Sequence, residues 1–322
     1  MPWQPLQPGE MAIVHLSDLH FGARNDREVW TLIRQILQEI RPKLILVTGD
    51  LADTPRRKTF LRVKRELDDL QQTFDSPYYI CSGNHDRFWR GNRFDFTQVP
   101  GLFLLRWGIV IALIVSPVLA VWHAWAAWLF YGAGLFAVLL WLFPMILDRL
   151  SLRLASALLP DIFGRSLLES TGPQEVRLIN DRTQWTLGLV GLDSSREPDA
   201  LARGFVPFPH FARLYETIRG RDWDLCICLV HHHLFSMRQL EMNRSGRWKD
   251  LFNVTCMVNS GSVLEALAQA QVDLVLHGHE HEHNRAGYFS FDPRHACGEA
   301  WRAEPPSTFW CSAPGARCVC GI

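Results

Sequence analysis

Five short segments of this chain place carboxylate, amide and imidazole side chains directly after apolar runs. They are Asp18-Leu19-His20, Gly49-Asp50, Gly83-Asn84-His85-Asp86, His231-His232-His233 and His277-Gly278-His279-Glu280-His281. Asp18 and His20 stand two residues apart, so on an extended strand end both side chains point to the same side and can grip one ion. Gly49 permits a tight turn before Asp50, whose two oxygens can bridge two ions. Asn84 offers a neutral oxygen ligand, and His85, with the carboxylate of Asp86 beside it, offers a proton donor and an orienting partner. A single Asp or His after a strand is more often a turn former or a satisfied polar group. Five such segments in order, supplying oxygen and nitrogen ligands but no thiolate, point instead to a metal centre.

Mixed carboxylate and imidazole ligands suit Mn, Fe or Zn better than an all-oxygen Mg site does. Two ions about 3.5–4 Å apart can activate a bridging water, orient phosphate oxygens and neutralise charge developing at phosphorus. The leaving alkoxide is poor until protonated, which a histidine near the ester oxygen can do.

The elements that must hold these segments are legible as alternation. Strand-like runs at Ala12 to Leu16, Lys43 to Thr48 and Tyr78 to Cys81 are interleaved with helical patterns at Glu28 to Ile40 and Lys58 to Leu70. Strand-like runs return at Glu175 to Asn180, Gln184 to Leu192, Leu225 to His231 and Val272 to His277, with a helical stretch from Ser262 to Ala270. This pattern predicts an α/β chain with buried sheets. Cys226 and Cys228 fall on one face of a strand, and neither they nor Cys318 and Cys320 have the two-residue gap of a zinc site, so all four are read as chemically idle thiols.

Between the two halves, Trp107 to Leu147 contains no Asp, Glu, Lys or Arg. One helix of that length would run to about 60 Å, twice the hydrocarbon thickness of a bilayer, so the expectation is a hydrophobic hairpin of two helices with a break near Trp125 to Gly134. Trp122, Trp125 and Trp128 would mark the far interface, and Trp107 and Trp141 the near one. Arg106, Arg149 and Arg153 flank the block, which orients both ends toward the cytoplasm. Residues 12–100 and 156–322 are thus two parts of one catalytic domain, and 101–155 an inserted hairpin that attaches it to a membrane. The competing reading is a cytoplasmic protein in which Pro117, His123 and Pro144 belong to a buried or interfacial cap.

Composition adds exclusions. Lys and Arg number 33, as do Asp and Glu, so no basic excess suggests a nucleic-acid groove. Met1 to Glu10 has no basic stretch followed by an apolar core, and the cysteines lack the spacing of a secreted scaffold, which together predict a cytosolic catalytic part.

At this point the residues resemble the calcineurin-like metallophosphoesterase superfamily, whose pattern runs Asp-x-His, Gly-Asp, Gly-Asn-His-Asp or -Glu, His, then Gly-His-x-His. The resemblance covers about residues 12 to 100 and 170 to 315. It implies a two-sheet α/β sandwich with the metals at the sheets' loop edge. It implies that Asp18, His20, Asp50 and His281 bind one divalent ion and that Asp50, Asn84, His231 and His279 bind a second. Asp50 would bridge them, and His85 would assist the leaving group. His231 is preferred among the three histidines because family members usually place the ligand first; His233 and Leu234 stand where prolines are common. The segment Ser312 to Ile322 ends where family members usually continue into further core strands.

Within the superfamily, the motif style is most similar to bacterial class III cyclic-nucleotide phosphodiesterases, which makes phosphodiester hydrolysis the first expectation and a cyclic nucleotide one candidate substrate. A membrane-anchored domain also suits a lipid-linked phosphoester or pyrophosphate. A reading of another class is a catalytically silent metal-binding scaffold; relatives of that kind lose ligands or the histidine acid, whereas every expected ligand and His85 is present here. Specificity is expected in the loops Ser194 to Pro209 and Arg238 to Asn253, and Trp185, Trp223 and Phe235 are either pocket or core aromatics.

Overall fold

A computed structural model describes residues 10–24, 26–88, 111, 124–179, 184–196, 203–235, 257–279 and 316–320. The elements run β1 (Met11–Leu16), α1 (Asp26–Ile40), β2 (Leu44–Thr48), α2 (Arg57–Phe74), β3 (Tyr78–Cys81), α3 (Asn84–Arg87) and α4 (Ala124–Phe163). A short α5 (Leu168–Thr171) leads to β4 (Gln174–Ile179), β5 (Gln184–Leu192), α6 (Phe208–Ile218), β6 (Leu225–Val230), α7 (Ser260–Gln269), β7 (Leu274–Leu276) and β8 (Ala316–Cys320).

Two four-stranded sheets form, in the orders β3-β2-β1-β8 and β4-β5-β6-β7. The first is parallel throughout, and the second is parallel except where β4 meets β5. Side-chain alternation decides how they stack. Ile13, Leu44 and Leu46 of the first sheet share a core with Leu187, Leu189, Ile227 and Leu229 of the second. The intervening residues Val14, Ile45 and Val47 face the layer of α1 and α2. On the far side, Val190, Cys228 and Val230 face α6 and α7. The near-continuous apolar runs of β2 and β6 reflect burial on both faces.

The helices cover the sheets for the same reason. In α1 the buried positions Trp30, Ile33, Leu37 and Ile40 recur at three and four, as do Phe60, Val63, Leu67 and Leu70 in α2. Trp30 donates its indole N–H to Glu66 at 2.6 Å, tying the two helices together where they meet. Cys81, Cys226 and Cys228 are free and buried; burial pushes the Cys226 thiol up to about 12, so it stays protonated and unreactive.

The expected break near Trp125 to Gly134 is not there: α4 runs for 40 residues from Ala124 to Phe163. Gly132 and Gly134 each weaken a helix by only about 1 kcal/mol, and the flanking Ala, Leu and Phe residues sustain it. Helix α4 is continuous through residue 155, and its last turns belong to the catalytic core: Ala155, Leu158, Leu159, Ile162 and Phe163 pack with α1, α2 and β1 to β3. Residues 107–110 and 112–123, the first arm of the expected hairpin, lie outside the described residues. Among the described residues, no helix is long and apolar enough to cross a membrane. The segment Ala316–Cys320 is a strand that pairs in parallel with β1.

Candidate metal centre

Parallel strands end at a common edge, and β1, β2, β3, β6 and β7 each deliver one of the five sequence segments there. Holding so many polar groups in one place forces unusual backbone. Asp18, His20, Asp50 and His279 all adopt positive φ, at 54°, 43°, 49° and 80°. A non-glycine residue is uncommon in that region, and such conformations concentrate at functional sites. Gly49 has φ +83°, and a Cβ there would stand 2.6 Å from His231 Nδ1 and 2.7 Å from the Gly83 nitrogen. Only glycine lets the β2, β3 and β6 turns close on one another.

Asp50 sits at the middle of the cluster, 1% exposed. Its Oδ1 accepts the His85 backbone N–H at 2.9 Å, which leaves Oδ2 facing two imidazoles, His231 Nε2 at 3.4 Å and His20 Nε2 at 3.7 Å. Ligand atoms of Asp18, Asp50 and His231 lie within 4.8 Å of one another, and so do those of His20, Asp50 and His85. Asp50 is common to both groups. Asp18 is held by Ser17 Oγ at 2.6 Å and by the His279 N–H at 3.1 Å, which links the β1 and β7 turns.

On the other side of Asp50, three lone-pair donors converge. Asn84 Oδ1 is 2.8 Å from His231 Nε2 and 3.1 Å from His279 Nδ1, and the two nitrogens are 3.2 Å apart. Bonds of about 2.1 Å to a central ion place neighbouring ligands about 3.0–3.4 Å apart in octahedral or tetrahedral shells. The separations of His231 from Asn84, His279 and Asp50, and of Asn84 from His279, span 2.8 to 3.4 Å, which fits ligands gathered around a divalent cation. The other nitrogen of His231 is 2.8 Å from the Thr48 carbonyl, the outer hydrogen bond that fixes which nitrogen faces the centre.

Charges follow the geometry. Burial drives the Asp50 carboxyl up, but His231, His85 and His20 together outweigh it and hold the group well below the usual carboxylate range. His231 is opposed by burial and then raised by Asp50 to about 9. His279, buried and next to His231, falls to about 3 and stays neutral, as a ligand must.

His85 and Asp86 part company. The His85 ring packs edge-on to His20, with centroids 4.6 Å apart, and its Nδ1 lies 3.1 Å from the Asp53 carbonyl. Its orienting partner is therefore that backbone oxygen and not Asp86. The Asp86 carboxylate turns inward and accepts backbone N–H groups from Leu51 at 3.1 Å, Ala52 at 2.9 Å and Gly83 at 2.9 Å. Adjacent residues of a helical turn point about 100° apart, so sequence neighbours need not be partners. Asp86 pins the Asp50 loop to the Asn84 turn.

His281 lies outside the described residues, as does the loop 238–253. Trp185 and Trp223 pack into cores near the starts of β5 and β6, opposite the strand ends that carry the cluster, and Phe235 packs in the α6–α7 layer. Core, not pocket, is their place.

One buried network was missed in reading the sequence. Arg87, following Asp86, is 6% exposed and meets Glu169 at 2.6 Å and Asp193 at 2.7 Å. It also donates to Ser82 Oγ at 2.9 Å and Ser156 Oγ at 3.4 Å. The Arg beside a metal-ligand motif was the only local clue, because its carboxylates come from α5 and the end of β5.

Imidazole, carboxylate and amide side chains thus gather at the C-terminal edge of the strands of a two-sheet α/β sandwich, a set of groups that could hold metal ions. The calcineurin-like phosphoesterase family model matches residues 11–129, a stretch that holds Asp18, His20, Asp50, Asn84 and His85. The matched stretch covers just over a third of the chain, and the family it resembles is one of metal-dependent phosphoesterases. His231 and His279 lie beyond the matched stretch and join it in space. No curated protein matches the chain.

Proposed function

We propose that this chain hydrolyses a phosphodiester at a dinuclear centre, with Asp18, His20, Asp50 and His281 around one divalent ion and Asp50, Asn84, His231 and His279 around the other. The observation that carries this reading is the Asp50 carboxylate, whose Oδ2 faces His20 and His231 at once. Bound Mn, Fe or Zn would supply Lewis acidity to the phosphoryl oxygens and acidify a water. The chain's own residues do the rest. Asp50 and Asn84 set the spacing of the centre, and Asp86 holds their two loops together. His85, oriented through Nδ1 by the Asp53 carbonyl, donates a proton to the leaving oxygen, the step that lets an alkoxide depart as an alcohol.

The test is hydrolysis of bis-p-nitrophenyl phosphate by the detergent-solubilised chain with Mn²⁺, beside an Asn84→Ala, His85→Ala double variant. Metal-dependent turnover that disappears in the variant supports the reading and justifies a screen of cyclic nucleotides. Folded, metal-loaded protein without activity on diesters or monoesters would instead make it a silent scaffold.

A second observation favours membrane association through 107–147 and a lipid-linked phosphoester or pyrophosphate as the alternative substrate. Trp128, Leu135, Leu139, Ile146 and Leu150 of α4 are all more than half exposed. Their spacing of seven, four, seven and four places them on one face of the helix, whose far end is anchored in the catalytic core. Large exposed apolar patches mark interaction or membrane surfaces, and the flanking arginines leave the catalytic domain on the cytoplasmic side. Recovery of the chain in the alkaline-washed membrane fraction, abolished by Leu135→Lys with Leu139→Lys, is the expected result. Recovery in the soluble fraction would remove the membrane reading and leave a cytoplasmic enzyme.

A further inference from the structure

His231 belongs to the centre described above, but the histidine after it has no part in that account. His232 is 1% exposed, with its ring centre 4.4 Å from that of His279 and 5.0 Å from that of His231. Its Nδ1 lies 2.8 Å from Ser194 Oγ, itself fully buried. Gly204 backs the same side of the ring, where a Cβ would stand 2.5 Å from His232 Cγ. Nε2 has no hydrogen-bond partner among the described residues. One ligating atom each from His231, His232 and His279 lies within 4.8 Å of the other two.

An imidazole kept only for packing would have no reason to bury a polar nitrogen without a partner, since that is costly and rare. A metal-binding histidine uses one nitrogen for the ion and donates the other N–H to an outer acceptor, which fixes the tautomer and the ring. His232 has that arrangement: Ser194 Oγ is placed to accept Nδ1–H, and Nε2 remains on a ring packed against His279.

We propose that His232 is an additional nitrogen ligand of the second ion, making a three-imidazole set with His231 and His279 beside Asn84 and Asp50. The proposal rests on the dinuclear reading, because it enlarges one of that reading's two ligand sets. Three imidazoles at one position and a carboxylate-rich set at the other make the two positions chemically unequal. The imidazole-rich one selects Co, Ni or Zn over Mn more strongly than its partner does.

Co²⁺ titration of the full chain tests this without reference to turnover, with affinity and stoichiometry read by equilibrium dialysis and ligand field by visible absorption. The wild-type chain should bind two ions. Ser194→Ala should weaken the second by about 10- to 100-fold, the size typical of an outer-shell loss, and His232→Ala should weaken it further and change the spectrum of that ion alone. Folded His232→Ala protein that binds both ions with wild-type affinity and spectrum overturns the proposal and leaves the dinuclear reading intact. Wild-type protein that takes up a single ion overturns both. Should His232→Ala fail to fold, the wild-type chain with Zn²⁺ decides by ¹⁵N NMR of its histidine rings: movement of the His232 Nε2 signal to a metal-bound shift supports ligation, and no movement refutes it.

Discussion

His231 Nε2 stands 2.8 Å from Asn84 Oδ1, across a separation of 147 residues and between the two sheets. The contact joins the β3 and β6 turns, so each side chain is held in place by the other's sheet. Asn84→Ala removes the neutral oxygen and leaves His231 in place. The expected result is loss of the second ion's affinity by at least about 100-fold, with the apolar cores and the unfolding temperature little changed. Metal content after gel filtration checks it; two tightly held ions in the variant would place the second site elsewhere.

His85 is expected to act on the leaving group and not on the ions. His85→Asn should lower kcat by about 10²- to 10⁴-fold while metal stoichiometry stays at the wild-type value. The loss should grow as the leaving alcohol becomes more basic, because a phenolate that departs unaided needs no acid. Rates for p-nitrophenyl and alkyl esters of the same phosphate compare the two cases. Equal losses for both would assign His85 to phosphate binding.

Metal binding should be linked to pH through His231. Its proton in the ion-free chain is held to about 9 by Asp50, and a cation at Nε2 must displace it. Apparent affinity for Mn²⁺ should therefore rise up to about tenfold per pH unit from 6.5 to 8.5, with a proton released on binding. The ion-free fold shows the opposite trend from this group. A histidine raised above its ordinary 6.5 stabilises fully below that value, and the contribution is lost as pH rises through about 9. Calorimetric titration in buffers of different ionisation enthalpy counts the proton; affinity flat in pH would mean His231 is neutral before the ion arrives.

Much of this architecture was legible because it is periodic. The runs at 44–48, 78–81 and 184–192 became β2, β3 and β5, and the three-and-four spacing of Trp30 to Ile40 became α1. The metal segments were legible because each follows a strand, and parallel strands bring their ends together. Helix α6 escaped notice: its buried positions Phe211, Leu214 and Ile218 make one short stripe, and Pro207 and Pro209 suggest a loop. The course of α4 was misplaced because apolar length sets a membrane budget but does not say where a helix ends. Asp86 and Arg87 were misjudged or missed because their partners are remote: Ala52 and Leu51 lie 34 and 35 residues from Asp86, and Glu169 lies 82 from Arg87.

That last cluster carries a prediction about the fold. One buried guanidinium faces two carboxylates, so the group as a whole favours a proton. Burial and then the neighbouring Glu169 push Asp193 up to about 7, against the pull of Arg87. An acid raised above its ordinary 3.8 favours the folded state at low pH and loses that contribution as pH climbs through about 7. Arg87→Met leaves Glu169 and Asp193 buried without their counter-charge, which costs about 3–5 kcal/mol when one partner of a buried pair is removed. Because protonation relieves the remaining pair, the variant should recover part of its stability at pH 6 relative to pH 8. Asp193→Asn in the same chain should remove most of that pH difference. Urea unfolding of the metal-free protein at both pH values measures it. Arg87→Met unfolding at the wild-type midpoint at pH 8 would show that this network does not hold the Asn84 turn to the second sheet.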